Sequence, residues 1–186
     1  MPKILLILFI FIVLQRVVEL FIAKSNERWM LARGGVERGK EHYKWFIVVH
    51  TLFFLSILVE IDLRDYSAYK INLFLFTIFI LLQIARVWCI TSLGKFWNTK
   101  IIILPTETLV EKGPYKYVKH PNYIVVGLEL LFIPLLFGAY VTALIFPFFH
   151  ILLMTVRIPL ENEALAEVEK GRENRLFPKE KKGLIE

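Results

Sequence analysis

Cysteine is almost missing from this chain. Cys89 stands alone among 186 residues, which excludes an intrachain disulfide and any zinc site built on several thiolates. Histidine is scarce as well. The four residues, at positions 42, 50, 120 and 150, show neither HxxxH nor HExxH spacing, so we expect no metal centre. No small-residue cleavage site follows the apolar N-terminus, which therefore reads as a retained membrane helix and not as a signal peptide. What is abundant is apolar surface. Hydrophobic residues make up 56% of the chain and the mean hydropathy is +0.57, too apolar for an ordinary soluble domain. We expect a single domain, residues 1–186, whose core is shared with lipid. The net charge is +6. Because the basic residues lie between apolar segments, they point to anionic lipid headgroups and away from nucleic acid.

A bilayer core of roughly 30 Å needs about 20 helical residues. Residues 4–23, 45–61 and 71–90 fit, and place three spans in the N-terminal part, 1–90. Residues 123–158 form one apolar run of 36 residues, too long for one span and suited to a hairpin of two short ones. Pro134 and Gly138 punctuate that run without any charge. The expected fold is an all-α integral membrane protein of five transmembrane helices, with a cytosolic tail at 159–186. Charge placement agrees. The stretches 24–44, 95–119 and 170–182 hold 17 of the 23 Lys and Arg residues. Five spans put all three on one side, which the positive-inside rule makes cytoplasmic, with the N-terminus outside. Lys3, Arg64 and Lys70 fall on the other side.

Three arginines remain, inside or at the ends of spans, where an ionisable group is expensive and suggests function. Arg16 has Glu19 three residues on, on the same helix face, as a structural pair or a functional one. Arg86 either snorkels to the cytoplasmic surface or lines a site. Glu129 is placed to pair with a buried arginine or to act in chemistry. Between spans, TKIIILPTETLVEK (99–112) predicts a short hairpin around Pro105. Residues 161–177 predict a cytosolic helix with Ala164, Leu165 and Val168 on its apolar side and Gly171 as its stop.

Two polar stretches interrupt the apolar chain. In GPYKYVKHPNY (113–123), His120 precedes a proline and is pushed toward extended geometry. Pro121 suits the first turn of a helix, whose N-terminus favours a carboxylate. Tyr115, Tyr117 and Tyr123 add stacking faces and hydroxyls. The stretch reads as a ligand pocket at the cytoplasmic surface, or as an aromatic belt with a snorkelling basic loop. In RIPLENEAL (157–165), Arg157 and Glu161 share a helix face four residues apart, as an active-site pair or as an interfacial salt bridge. Pro159 predicts a bend there.

Together with LGKFWN (93–98), these stretches resemble the isoprenylcysteine carboxyl methyltransferase family, part of a wider group with the phospholipid methyltransferases. The likeness covers roughly residues 86–177. GPYxYxxHPxY and RxxxE stand in the family's order on either side of a membrane hairpin. The resemblance implies an integral membrane enzyme that uses S-adenosylmethionine in a cytoplasmic pocket, on a lipophilic acceptor entering from the bilayer. It implies a methyltransferase core at 91–186, with residues 113–123 as the cofactor loop. By the same likeness, Arg157 and Glu161 are the active-site pair, and Tyr115, Tyr117, His120, Pro121, Tyr123 and Glu161 surround the cofactor. One departure stands out: the family pattern has two successive Glu residues, whereas here Glu161 is followed by Asn162. Asn162 still accepts a hydrogen bond and joins the cofactor set, while Glu163 lies about 100° further round the helix.

A carboxylate acceptor is already ionised at pH 7, so positioning and charge stabilisation matter more than proton abstraction. The resemblance allows an isoprenylcysteine-like carboxylate or the enol or hydroxyl oxygen of a small lipophile such as an alkylpyrone. The competing readings are a phospholipid N-methyltransferase, an NADPH-dependent sterol-type membrane reductase, and a non-catalytic membrane scaffold.

Overall fold

A computed structural model describes residues 3–63, 71–105, 107 and 109–176, with side chains described as far as residue 170. Arg64, Lys70, Lys179, Lys181 and Lys182 lie outside the described residues. Five helices run along the chain: α1 (Lys3–Leu31), α2 (Lys40–Asp62), α3 (Leu73–Leu93), α4 (Pro121–Phe137) and α5 (Tyr140–Leu176). Four of them, α1, α2, α3 and α5, are long and apolar enough to cross a membrane. α4 is apolar but has 17 residues, about 26 Å at 1.5 Å per residue, and falls short of that length. Many large apolar side chains on these helices face outward, Phe21 at 71% and Leu144 at 78% exposure among them. So much exposed apolar surface marks contact with lipid.

The helices alternate in direction. Leu5, Phe9 and Ile12 from the start of α1 cluster with Phe53 and Ile57 of α2, Phe79 of α3, Ile133 and Phe137 of α4 and Phe146 of α5. That core sits at the end away from the basic loops. There Glu60 of α2 caps α5: its carboxylate accepts from Val141 N at 3.0 Å and from Thr142 N at 2.7 Å. The negative charge meets the positive end of the helix dipole. The break between α4 and α5 falls at Gly138, whose φ of 73° is the left-handed cap that glycine tolerates. Pro134 lies inside α4 rather than in the break.

At the basic end, two short strands lace the loops together. β1 (Val36–Arg38) pairs antiparallel with β2 (Ile101–Ile103). The β-branched run before Pro105 is therefore a strand, but its partner is the α1–α2 loop and not the residues beyond Pro105. Strand alternation divides the three isoleucines. Ile101 and Ile103 cluster with Ala164 and Val168 of α5, and Ile102 with Met30 of α1. Arg38 reaches Glu167 of α5 at 2.6 Å. The basic stretches 24–44 and 95–119 and the part of α5 around Glu167 thus share one end of the molecule. α5 runs through Pro147, Pro159 and Gly171 to Leu176, so Gly171 does not stop the helix.

Candidate active site

The GPYKY loop is seated by glycine. Gly113 has φ 56°, and a Cβ there would lie 2.1 Å from Ser92 Oγ. Only a residue without a side chain brings the loop this close to α3. The loop then forms a 3₁₀ turn over Gly113–Lys116, and His120 caps α4 in a non-helical conformation directly before Pro121.

From that cap a chain of hydrogen bonds crosses to α5. His120 Nε2 meets Asn162 Oδ1 at 2.9 Å, and His120 Nδ1 faces Glu161 Oε2 at 3.4 Å. The Tyr123 hydroxyl donates to Glu161 Oε2 at 2.5 Å and accepts from Arg157 Nε at 2.8 Å. Arg157 Nη2 donates to the Thr99 carbonyl at 2.7 Å. Arg157 and Glu161 are thus joined through Tyr123, which stands between them, and not by the simple i,i+4 contact that their spacing suggests. The ring of His120 stacks on Tyr123 with centroids 5.5 Å apart. Both nitrogens of His120 face acceptors. The Glu161 hydrogen bond, aided by Asn162, outweighs the cost of burial and raises the His120 pKa above its ordinary value. Burial pushes the Tyr115 phenol up, so it stays protonated.

Two cavities flank this chain. A cleft of about 90 Å³ is lined by Tyr115, Lys119, His120, Glu161, Lys100 and Ile101–Ile103. A larger, mostly apolar cavity of about 310 Å³ reaches between α1 and α2, along Val13, Val17, Phe46, Ile47 and Met154. Trp97, Asn98, Asn122, Tyr123 and Arg157 line both. Trp97 Nε1 and Asn122 Oδ1 are buried there without a hydrogen-bond partner among the described residues. Tyr117 is 77% exposed, outside the cleft lining, with Lys116 over its ring. Of the eight candidate residues, His120, Tyr123, Arg157, Glu161 and Tyr115 line the cleft and Tyr117 does not. Asn162 joins through His120, and Pro121 starts the helix.

Several residues at this junction carried no expectation. Trp97 and Asn98 sit within the LGKFWN stretch, and Asn122 lies within KHPNY, so a signal was present but no role followed from it. Thr99 acts through its backbone carbonyl, which no side-chain pattern announces.

Below the junction, the charged groups inside the spans form one network. Arg86 grips Glu19 with two bonds of 2.7 Å and Glu129 with one of 2.5 Å. Arg16 reaches Glu19 at 3.0 Å and Glu129 at 2.8 Å. Two cations meet two anions, so the cluster is neutral, and Glu129 is only 3% exposed. Arg86 is buried in this network and does not snorkel. Arg16, Glu19 and Arg86 also line the larger cavity. Among the described residues there is no group of His, Cys, Asp and Glu able to hold a metal ion.

Comparison with known proteins completes the picture. The chain is similar to the uncharacterized protein YpbQ of Bacillus subtilis (strain 168), with 44% identity over 156 residues, spanning 84% of this chain and 93% of the relative. An uncharacterized protein of Haemophilus influenzae is 28% identical over 165 residues, spanning 88% of this chain and 91% of that one. No solved structure matches. The pattern of the Isoprenylcysteine carboxyl methyltransferase (ICMT) family matches residues 74–167, which hold α4, the GPYKY loop and the Arg157–Glu161 stretch. The chain belongs to the isoprenylcysteine carboxyl methyltransferase family.

Proposed function

We propose that this protein transfers a methyl group from S-adenosylmethionine to an oxygen of a lipophilic acceptor at the membrane surface. The observation that carries the reading is the shared wall of the two cavities. A polar cleft bearing His120 and Glu161 and an apolar cavity opening among α1 and α2 meet at Tyr123 and Arg157. The polar side suits a charged, water-soluble cofactor, and the apolar side suits a lipid-borne acceptor. The unpartnered Trp97 Nε1 and Asn122 Oδ1 supply a donor and an acceptor where the ligands would meet.

When bound, the cofactor supplies an electrophilic methyl group on sulfur. The chain's own residues supply position and charge. Arg157 spends Nε on Tyr123 and Nη2 on Thr99, which fixes the plane of the guanidinium. Nη1 remains for an anionic acceptor oxygen, either a carboxylate or an enolate. Glu161 is held by Tyr123 and His120 and presents negative charge to the cleft, where the sulfonium is attracted. At about 90 Å³ the cleft is below the roughly 300–1,000 Å³ of ordinary ligand sites. Binding therefore requires widening between the β1–β2 pair and α5, which are held together by a few aliphatic side chains from β2 and one exposed ion pair from β1. In the membrane we assign five passes, with α4 as a short span, the N-terminus outside and the basic end in the cytoplasm.

Titrating S-adenosylmethionine and NADPH in parallel against detergent-purified protein tests the assignment. The account expects S-adenosylmethionine to bind, and His120→Ala to weaken it about tenfold through loss of hydrogen bonding in the cleft. Binding of NADPH alone would move the protein to the reductase reading. Binding of neither would leave a membrane scaffold.

A further inference from the structure

Four buried side-chain polar atoms lack a hydrogen-bond partner among the described residues: Gln83 Oε1, Trp97 Nε1, Asn122 Oδ1 and His150 Nδ1. The last three belong to residues lining the apolar cavity. Buried polar atoms left unpaired are uncommon and costly, so their gathering around one cavity calls for an occupant of matching polarity.

His150 is the most informative of them. It is 5% exposed, and its Nε2 lies 3.0 Å from the Tyr123 carbonyl oxygen. A carbonyl only accepts, so Nε2 carries the proton. In the neutral ring Nδ1 is then a bare lone pair. Asn122 Oδ1 is a second acceptor, and Trp97 Nε1 is a donor. The cavity thus offers two acceptors and one donor. A carboxylate has no hydrogen to give and satisfies only the tryptophan. An ammonium has no lone pair for the Trp97 N–H and finds no free carboxylate in the lining, since Glu19 is already engaged by Arg16 and Arg86. A neutral hydroxyl both donates and accepts, and so complements the set.

The place of this group along the ligand also follows. His150 and Arg157 are seven residues apart on α5, two turns on one face and about 10 Å along the axis. His150 touches the backbone of Tyr123 and Arg157 touches its hydroxyl. The hydroxyl at His150 is therefore set off from the oxygen at Arg157 by about one tyrosine side chain.

We propose that His150 is a specificity-determining residue whose Nδ1 accepts a hydrogen bond from a hydroxyl carried within the apolar body of the acceptor. This rests on the methyltransferase reading for calling the occupant an acceptor, but not for the binding itself.

The test uses 4-nonylphenol and its methyl ether, 4-nonylanisole, as probes of equal chain length with and without the donor. Affinities are measured on the full chain in nanodiscs without S-adenosylmethionine, by tryptophan fluorescence. The wild type should prefer the phenol about tenfold. His150→Leu should bring the ratio to about one. His150→Gln should restore it, because its amide N–H can reach the Tyr123 carbonyl while its own carbonyl accepts. His150→Met replaces the leucine variant should that variant not fold. A purely structural histidine would lower thermal stability in His150→Leu and leave the phenol preference intact, which overturns the proposal. Equal affinities in the wild type also overturn it, with water as the partner of Nδ1. Methyl transfer from labelled S-adenosylmethionine to a panel of lipophiles is scored separately. Selective phenol binding with no transfer to any of them keeps the hydroxyl subsite and removes the methyltransferase reading.

Discussion

Tyr123 joins the two halves of the site at the scale of single residues. Its hydroxyl ties Arg157 to Glu161, its ring carries His120, and its backbone holds His150. The pattern of the sequence already pointed to His120, Tyr123, Arg157 and Glu161, because a histidine before proline and a charged pair at helical spacing are local signals. The bridging role of Tyr123 was not legible, since it depends on how α4 and α5 meet across 34 residues of chain. Arg157→Lys keeps the charge but loses the planar fork that engages Tyr123 and Thr99 together. Single-turnover methyl transfer should fall about 10²–10³-fold, with a near-normal thermal melt. Full activity in that variant would reduce Arg157 to architecture.

His120 yields a pH prediction. Its folded-state pKa is raised, chiefly by the Glu161 hydrogen bond, so folding favours the protonated ring. That stabilisation is complete below the ordinary value of about 6.5 and is lost as pH rises through the higher folded value. Thermal melts from pH 6 upward should show the wild type losing part of its margin over His120→Phe as pH rises. A pH-independent difference between the two proteins would show that the imidazolium contributes nothing.

At the scale of elements, the apolar runs and the break at Gly138 were readable because hydropathy and glycine are local. The β1–β2 pairing was not. Val36–Arg38 is three residues long and polar at its centre, and strand partners 65 residues apart leave no periodic trace. Glu60 gave no signal either. At the end of an apolar span it reads as an interfacial charge until α5 is seen to begin above it. Glu60→Ala should cost about 1–2 kcal/mol through loss of the cap, measured as a lower melting temperature with cofactor affinity unchanged. The buried network is the other element-level device. Glu129→Leu leaves Arg86 and Arg16 short of an anion inside the membrane and should cost about 3–5 kcal/mol. Adding Arg86→Leu to that variant should recover part of the loss. Additive losses would mean that the two residues do not act as a pair.

The whole molecule is a bundle with two unlike ends. One is an aromatic and aliphatic core around Phe53, Phe79 and Phe137. The other is a basic, strand-laced cap over the polar cleft. The charge count along the sequence anticipated that the basic stretches 24–44 and 95–119 share an end, because positive charge sorts by loop and needs no knowledge of packing. The junction of two cavities was beyond it, since Trp97, Thr99, Asn122 and Arg157 come from three separate segments. A reporter fused to the C-terminus should read as cytoplasmic, and one at the N-terminus as external. The central claim is that these cavities bring a soluble methyl donor and a lipid-borne oxygen together at Arg157. The most direct measurement incubates purified protein with methyl-labelled S-adenosylmethionine and lipid extract, then follows label into the organic phase. The account predicts labelled lipophilic product with the wild type and about 10²–10³-fold less with Arg157→Lys. Organic-phase label that never exceeds the protein-free control, or that is equal in both proteins, would contradict it.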